Sequence, residues 1–167
     1  RVDAAIKRVS SFQSASGGFG LWGPGSGNMW LDAYIGDFLT RAREKSYTVS
    51  EQVMRLAIQN LQNSLAINGE NIDSNSDAIA YALYVLARNK MASSTDLRYY
   101  ADTRIEDFKT PLARAHLGAA LALYNEQQRS VRTFSSALRL ASAAVPNSYS
   151  GDYYGSPLRD GAAILAL

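Results

Sequence analysis

The chain contains no cysteine, which excludes disulfides, thiolate metal sites and a cysteine nucleophile and leaves the redox compartment open. Its one histidine, His116, argues against a histidine-built metal centre, since such sites need several ligands. No apolar run reaches the roughly 18 residues of a membrane span, and Arg1 opens directly into a helical pattern without a signal-peptide layout. Charge of one sign is not concentrated anywhere. The 17 basic and 15 acidic residues are spread along 167 positions for a net charge of +2, and without a basic stripe nucleic acid is not expected as a partner. No segment shows the alternation of a half-buried strand.

What remains is helical, in two alternating kinds. About half of the residues are apolar, enough at this length for one domain that buries roughly 70% of its unfolded surface. Val2, Ala5, Ile6 and Val9 fall at helical spacing before Ser16-Gly17-Gly18. Gly18, Gly20 and Gly23 spell G-x-G-x-x-G, but a nucleotide fingerprint needs a preceding strand. A helix precedes it here, so the segment reads as an irregular turn anchored by Phe19, Trp22 and Trp30. From Trp30 to Leu39 the helix is apolar on nearly every face, which requires neighbours on several sides. Thr48 to Glu51 has capping-box spacing, with Ser50 as an alternative cap, before the striped helix of Val53, Leu56, Ala57 and Leu61. Ser76-Asp77 caps a second all-apolar helix. Leu97, Tyr100, Ile105 and Phe108 give a weaker stripe. Thr110-Pro111 and Ser156-Pro157 each place a capping hydroxyl before a proline at the first helical position, opening two more all-apolar helices. Between them Val131, Phe134, Ala137, Leu138 and Ala141 stripe another outer helix, ended by Pro146.

The two cap-proline openings count as an internal repeat of an outer-helix, inner-helix pair. Superposed on their Ala/Leu pattern, the inner helices place Tyr34, Tyr81, His116 and Asp160 at equivalent positions, about 35 to 47 residues apart, as in helical-hairpin repeats. Striped helices outside and all-apolar helices inside are what a ring of hairpins requires. The expected class is all-α, a partial α/α toroid over residues 1–167. Arg1 and the uncapped run Ala162 to Leu167 suggest a piece of a longer protein.

Several segments are similar to one family. Gly18-Phe19-Gly20-Leu21-Trp22, then Trp30-Leu31-Asp32-Ala33-Tyr34 with Phe38-Leu39 and Ala42-Arg43, resembles the thioester domain of alpha-macroglobulins. Ala80-Tyr81-Ala82-Leu83, Pro111-Leu112 with Leu117-Gly118, and Asp152-Tyr153-Tyr154-Gly155-Ser156 with Leu158-Arg159-Asp160 resemble the bacterial branch. The resemblance implies a module of a periplasmic, lipid-anchored protease inhibitor. In that family cleavage of a bait region triggers a conformational change, and a Cys–Gln thioester acylates the protease. Target proteases and other domains of the same chain would be its partners. The thioester signature Cys-x-Glu-Gln is absent, and the family's assisting histidine has no match near Ile72 to Asn75.

Read on their own chemistry, the candidate residues are structural or interaction residues, with no catalytic, cofactor or metal role. His116 reads as a helix-interior histidine hydrogen-bonded in the core. Asp32, Asp77 and Asp160 lie near helix starts, where the dipole favours a carboxylate. Arg114 and Arg159 are expected to pair with them around the mouth of the ring. Trp22, Trp30 and Tyr34 serve as packing residues, and Tyr153 and Tyr154 as loop packing or a contact surface. A helical-repeat interaction scaffold is the alternative reading. A toroid enzyme such as a terpene cyclase needs an acid-rich metal motif or zinc ligands, and no D-D-x-x-D run occurs.

Overall fold

The computed structural model describes residues 1–25, 27–69, 72–143 and 156–167. Among them lie eight α-helices: α1 (Val2–Ser11), α2 (Met29–Glu44), α3 (Glu51–Asn68), α4 (Ile72–Arg88), α5 (Ser94–Thr103), α6 (Pro111–Leu123), α7 (Gln127–Ala143) and α8 (Pro157–Leu165). A 3-10 turn over Ile105–Asp107 precedes α6. The even-numbered helices form the inner layer, α2 against α4, α4 against α6 and α6 against α8, while α3 and α7 pack on the outside of their inner partners. This is the helical-hairpin arrangement of an α/α toroid.

The division of labour follows from composition. In α6 every residue from Ala113 to Leu121 is buried, as expected of a helix with no polar face. In α4, Ile79, Ala80, Ala82 and Val85 are fully enclosed. Each large aliphatic side chain removed from water in this way contributes about 1.5–3 kcal/mol before entropy is counted. By contrast, Ile6 is the buried residue of α1. The cap-proline openings act as their sequences require: the hydroxyls of Thr110 and Ser156 accept from the amides of Ala113 (3.1 Å) and Arg159 (3.2 Å).

Local structure departs from the sequence reading in five places. Helix α8, expected to be enclosed like the other inner helices, leaves Leu158 and Leu165 more than four-fifths exposed, because α6 is the helix it packs against. Helix α3 begins after Ser50, whose side chain makes no capping bond, so the capping box does not form. Helix α4 begins at Ile72 rather than at Ser76, because fully buried Ile72 draws one extra turn into the core across a break at Asn75 (φ −132°, ψ 16°). The stripe from Leu97 to Phe108 splits into α5 and the 3-10 turn. The outer helix α7 buries Ser130, Thr133, Ser136 and Ala137, and leaves Val131 and Leu138 more than half exposed. The cause is close approach. A Cβ on Gly118 of α6 would lie 2.9 Å from the Phe134 ring, and Ser130 Oγ donates to the Gly118 carbonyl at 2.9 Å, so the interface admits only small side chains around that ring.

Candidate functional site

The glycine-dense turn is held from inside the fold. The amide of Phe19, which is fully buried, donates to Asp32 Oδ1 at 2.8 Å, and Asn60 of α3 donates to Asp32 Oδ2 at 2.8 Å. Burial raises the Asp32 carboxyl above its ordinary range, and these two bonds pull it part of the way back. Gly27 is required because a Cβ there would lie 2.1 Å from the Phe19 carbonyl oxygen, and Gly17 because its φ is +95°. The turn therefore aims its central amide at a carboxylate, whereas a phosphate loop leaves such amides open. Trp22 is 95% exposed, which corrects the packing role expected for it. Trp22→Ala is accordingly expected to change the unfolding free energy by no more than about 0.5 kcal/mol. Urea denaturation checks this, and a loss several times larger would restore the anchoring role.

A second site lies between the inner helices. Trp30, Tyr34, Tyr81 and His116 line a cavity of about 260 Å³, which α8 also borders through Arg159 and Ala163. Trp30 and Tyr34 stack with centroids 5.5 Å apart and planes 6° from parallel. Trp30 meets Tyr81 edge-on at 6.3 Å. Tyr81 in turn lies flat on His116 at 4.5 Å, with Tyr84 at 5.3 Å from the same imidazole. Ring pairs of these geometries contribute roughly 0.5–1.5 kcal/mol each beyond burial. The register of Tyr34, Tyr81 and His116 thus places the three on one cavity, while Asp160 is enclosed at 2% exposure and bonded by Arg159 at 2.6 Å.

Asp37 is the polar hub of this wall. It accepts from Arg41 Nε at 2.8 Å, from Arg88 Nη1 at 3.2 Å and from the Tyr81 hydroxyl at 3.1 Å. Burial and the adjacent Asp37 push the Tyr81 phenol well above its ordinary value, so it stays a donor. Across the cavity, Thr110 donates to Asp77 at 2.5 Å, and burial raises the Asp77 carboxyl. His116, at 8% exposure, is held down to about 3 by burial first, then by the fields of Arg41 and Arg159. It is therefore neutral at physiological pH. It stacks, but among the described residues nothing hydrogen-bonds to it, which corrects the hydrogen-bonded core histidine expected from sequence.

Arg114 is not at the mouth of the ring. It turns outward to the Phe108 carbonyl (2.9 Å), Glu106 (2.8 Å) and the Ser136 hydroxyl, because the buried start of α6 faces the outer helix there. Tyr153 and Tyr154 lie outside the described residues. Sequence reasoning missed Asp37, Arg41 and Arg88 as a group. The i, i+4 spacing of Asp37 and Arg41 was a local signal; Arg88, 51 residues further on, had none. Among the described residues no three His, Cys, Asp or Glu side chains are placed to hold a metal ion, and no helix is long and apolar enough to cross a membrane.

The A-macroglobulin TED domain family matches residues 1–78. An alpha-2-macroglobulin of Xylella fastidiosa is 31% identical over 176 aligned residues, which cover 100% of this chain and 10% of that protein. The native conformation of Escherichia coli alpha-2-macroglobulin superposes over 98% of this chain and 11% of that one, with 32% identity and a TM-score of 0.85. The trypsin-activated form from the same organism covers the same shares, with 31% identity and a TM-score of 0.83. The chain spans about a tenth of the length of the curated relatives it matches.

Proposed function

Because the chain belongs to the bacterial alpha-2-macroglobulin family, as part of its thioester-domain region, we propose that it is a non-catalytic module of a protease-trapping protein. The observation that carries this reading is the pair of likenesses just given. One fold matches both a native and a trypsin-activated relative over 98% of the chain, at TM-scores of 0.85 and 0.83. A domain that keeps its internal packing while the molecule around it changes state moves as a rigid body. The enclosed inner layer and the Asp37 network supply that rigidity. In this reading residues 1–167 are a partial toroid within a longer multidomain protein that is periplasmic and anchored by lipid. Its partners are attacking proteases and neighbouring domains of its own chain. With no cysteine in these residues, any thioester is contributed from elsewhere in the parent.

The test uses the full-length protein. Trypsin mixed with it is expected to lose activity on a large protein substrate while retaining activity on a small peptide amide, as caging requires. Equal loss on both substrates, or no loss on either, overturns the proposal. Intact mass after methylamine, a small amine that opens thioesters, then separates a covalent trap from a purely steric one.

A further inference from the structure

The cavity between the inner helices has features that rigidity does not require. One is an imidazole whose nitrogens no described side chain occupies. His116 is more than nine-tenths buried, lines the cavity and has no hydrogen-bond partner among the described residues. No fully buried side-chain nitrogen or oxygen lacks a partner among those residues, so its unbonded ring nitrogens reach the open space of the cavity. Another is Arg41. Its Nε is held by Asp37 and one terminal nitrogen lies 3.5 Å from the Tyr84 hydroxyl; the remaining nitrogen, Nη1, has no bond among the described residues.

We propose that this cavity is a binding site for a small carboxylate with an aromatic body, its acid group held by Arg41 and the His116 N–H and its ring set among Trp30, Tyr34 and Tyr81. The inference does not depend on the protease-trapping reading. Size fits first, since an apolar cavity of about 150 Å³ accepts benzene and this one, at about 260 Å³, has room for a ring and a short acid tail. The sign of charge follows from the carboxylates already present. Asp37 is saturated by two guanidinium groups and a phenol. Asp77 is engaged by the Thr110 hydroxyl. The fields of Arg41 and Arg159 disfavour a second positive charge at the imidazole, and a neutral histidine and a guanidinium edge both donate to an anion. An ammonium ligand would gain the aromatic faces but meet the open edge of the Arg41 guanidinium.

His116 is the single histidine, so its imidazole NMR signals identify the site without further assignment. The probes are 3-phenylpropionate, 3-phenylpropionamide and 2-phenylethylammonium, titrated separately into the chain. The acid is expected to shift the His116 signals saturably in the millimolar range suited to a ligand of this size, and the amide to bind at least about tenfold more weakly, the loss of one charge-assisted contact. Arg41→Gln is expected to cancel the acid's advantage over the amide. Should that variant not fold, the acid-to-amide ratio on the unaltered chain decides. An ammonium or amide that binds as well as the acid, or an acid that leaves His116 unmoved, overturns the proposal.

Discussion

Asp37→Leu is expected to lower the unfolding free energy by about 3 kcal/mol. The substitution removes the acceptor of three donors at once, on two different inner helices. Their costs differ. Arg41 is 47% exposed and rehydrates cheaply. Arg88 is 14% exposed and keeps Glu44 as its ion-pair partner among the described residues. The Tyr81 hydroxyl, in a buried contact, is left without an acceptor, which costs about 1–3 kcal/mol alone. Leucine is close to aspartate in shape, so cavity formation adds little. Asp37→Asn keeps an acceptor oxygen and is expected to lose about half as much. Urea denaturation of the three proteins checks the order, and a loss below about 1 kcal/mol for leucine would make the hub dispensable.

Acidification from about pH 7 to about pH 5 is expected to remove roughly 2 kcal/mol of stability through His116 alone. Its ordinary value of 6.5 falls to about 3 in the folded chain, so between those limits the unfolded state binds the extra proton. Stability is therefore fully present above 6.5 and is lost as pH falls toward 3, by at most about 1.4 kcal/mol per unit. Asp32 and Asp77 act the other way. Their raised folded values mean that protons bind the native state first, above 3.8, which offsets part of the loss at the acid end of the window. His116→Phe keeps the ring stack and removes the titration. Its unfolding free energy is expected to be nearly flat where that of the parent falls, and parallel slopes would assign the acid sensitivity to other groups.

Periodicity carried the reading of the fold because an α-helix repeats every 3.6 residues, and burial on all sides leaves no polar stripe to mistake. It located α2, α4 and α6 as enclosed helices and the proline openings of α6 and α8, but α8, placed by its apolar pattern alone, leaves Leu158 and Leu165 exposed. It failed at α7, where the buried face is small and polar, because the cause lies on the facing helix: no feature of Val131 or Leu138 reveals that Gly118 draws α6 close. Arg114 was misplaced for a similar reason, since its acceptors lie on the 3-10 turn, the loop after it and α7. The cavity was half legible. Superposing inner helices brought Tyr34, Tyr81 and His116 together, yet the Asp37–Arg88 contact spans 51 residues, and the lack of a partner for the imidazole is a property of the assembled space. Trp22 shows the converse: tryptophan in an apolar context suggested burial, and the turn points it into solvent.

The inner helices touch in chain order, α2 with α4, α4 with α6, α6 with α8, and this has a kinetic meaning. Each contact closes a loop of a few dozen residues, so little chain entropy is lost before contacts compensate for it. Any hairpin can serve as the nucleus, with the next one condensing on its exposed flank. On a ribosome such a fold matures as it emerges, from the first hairpin to the last. The wall of rings from Trp30 to His116 then closes when α6 docks, and the cavity gains its remaining border only when α8, carrying Arg159 and Ala163, follows.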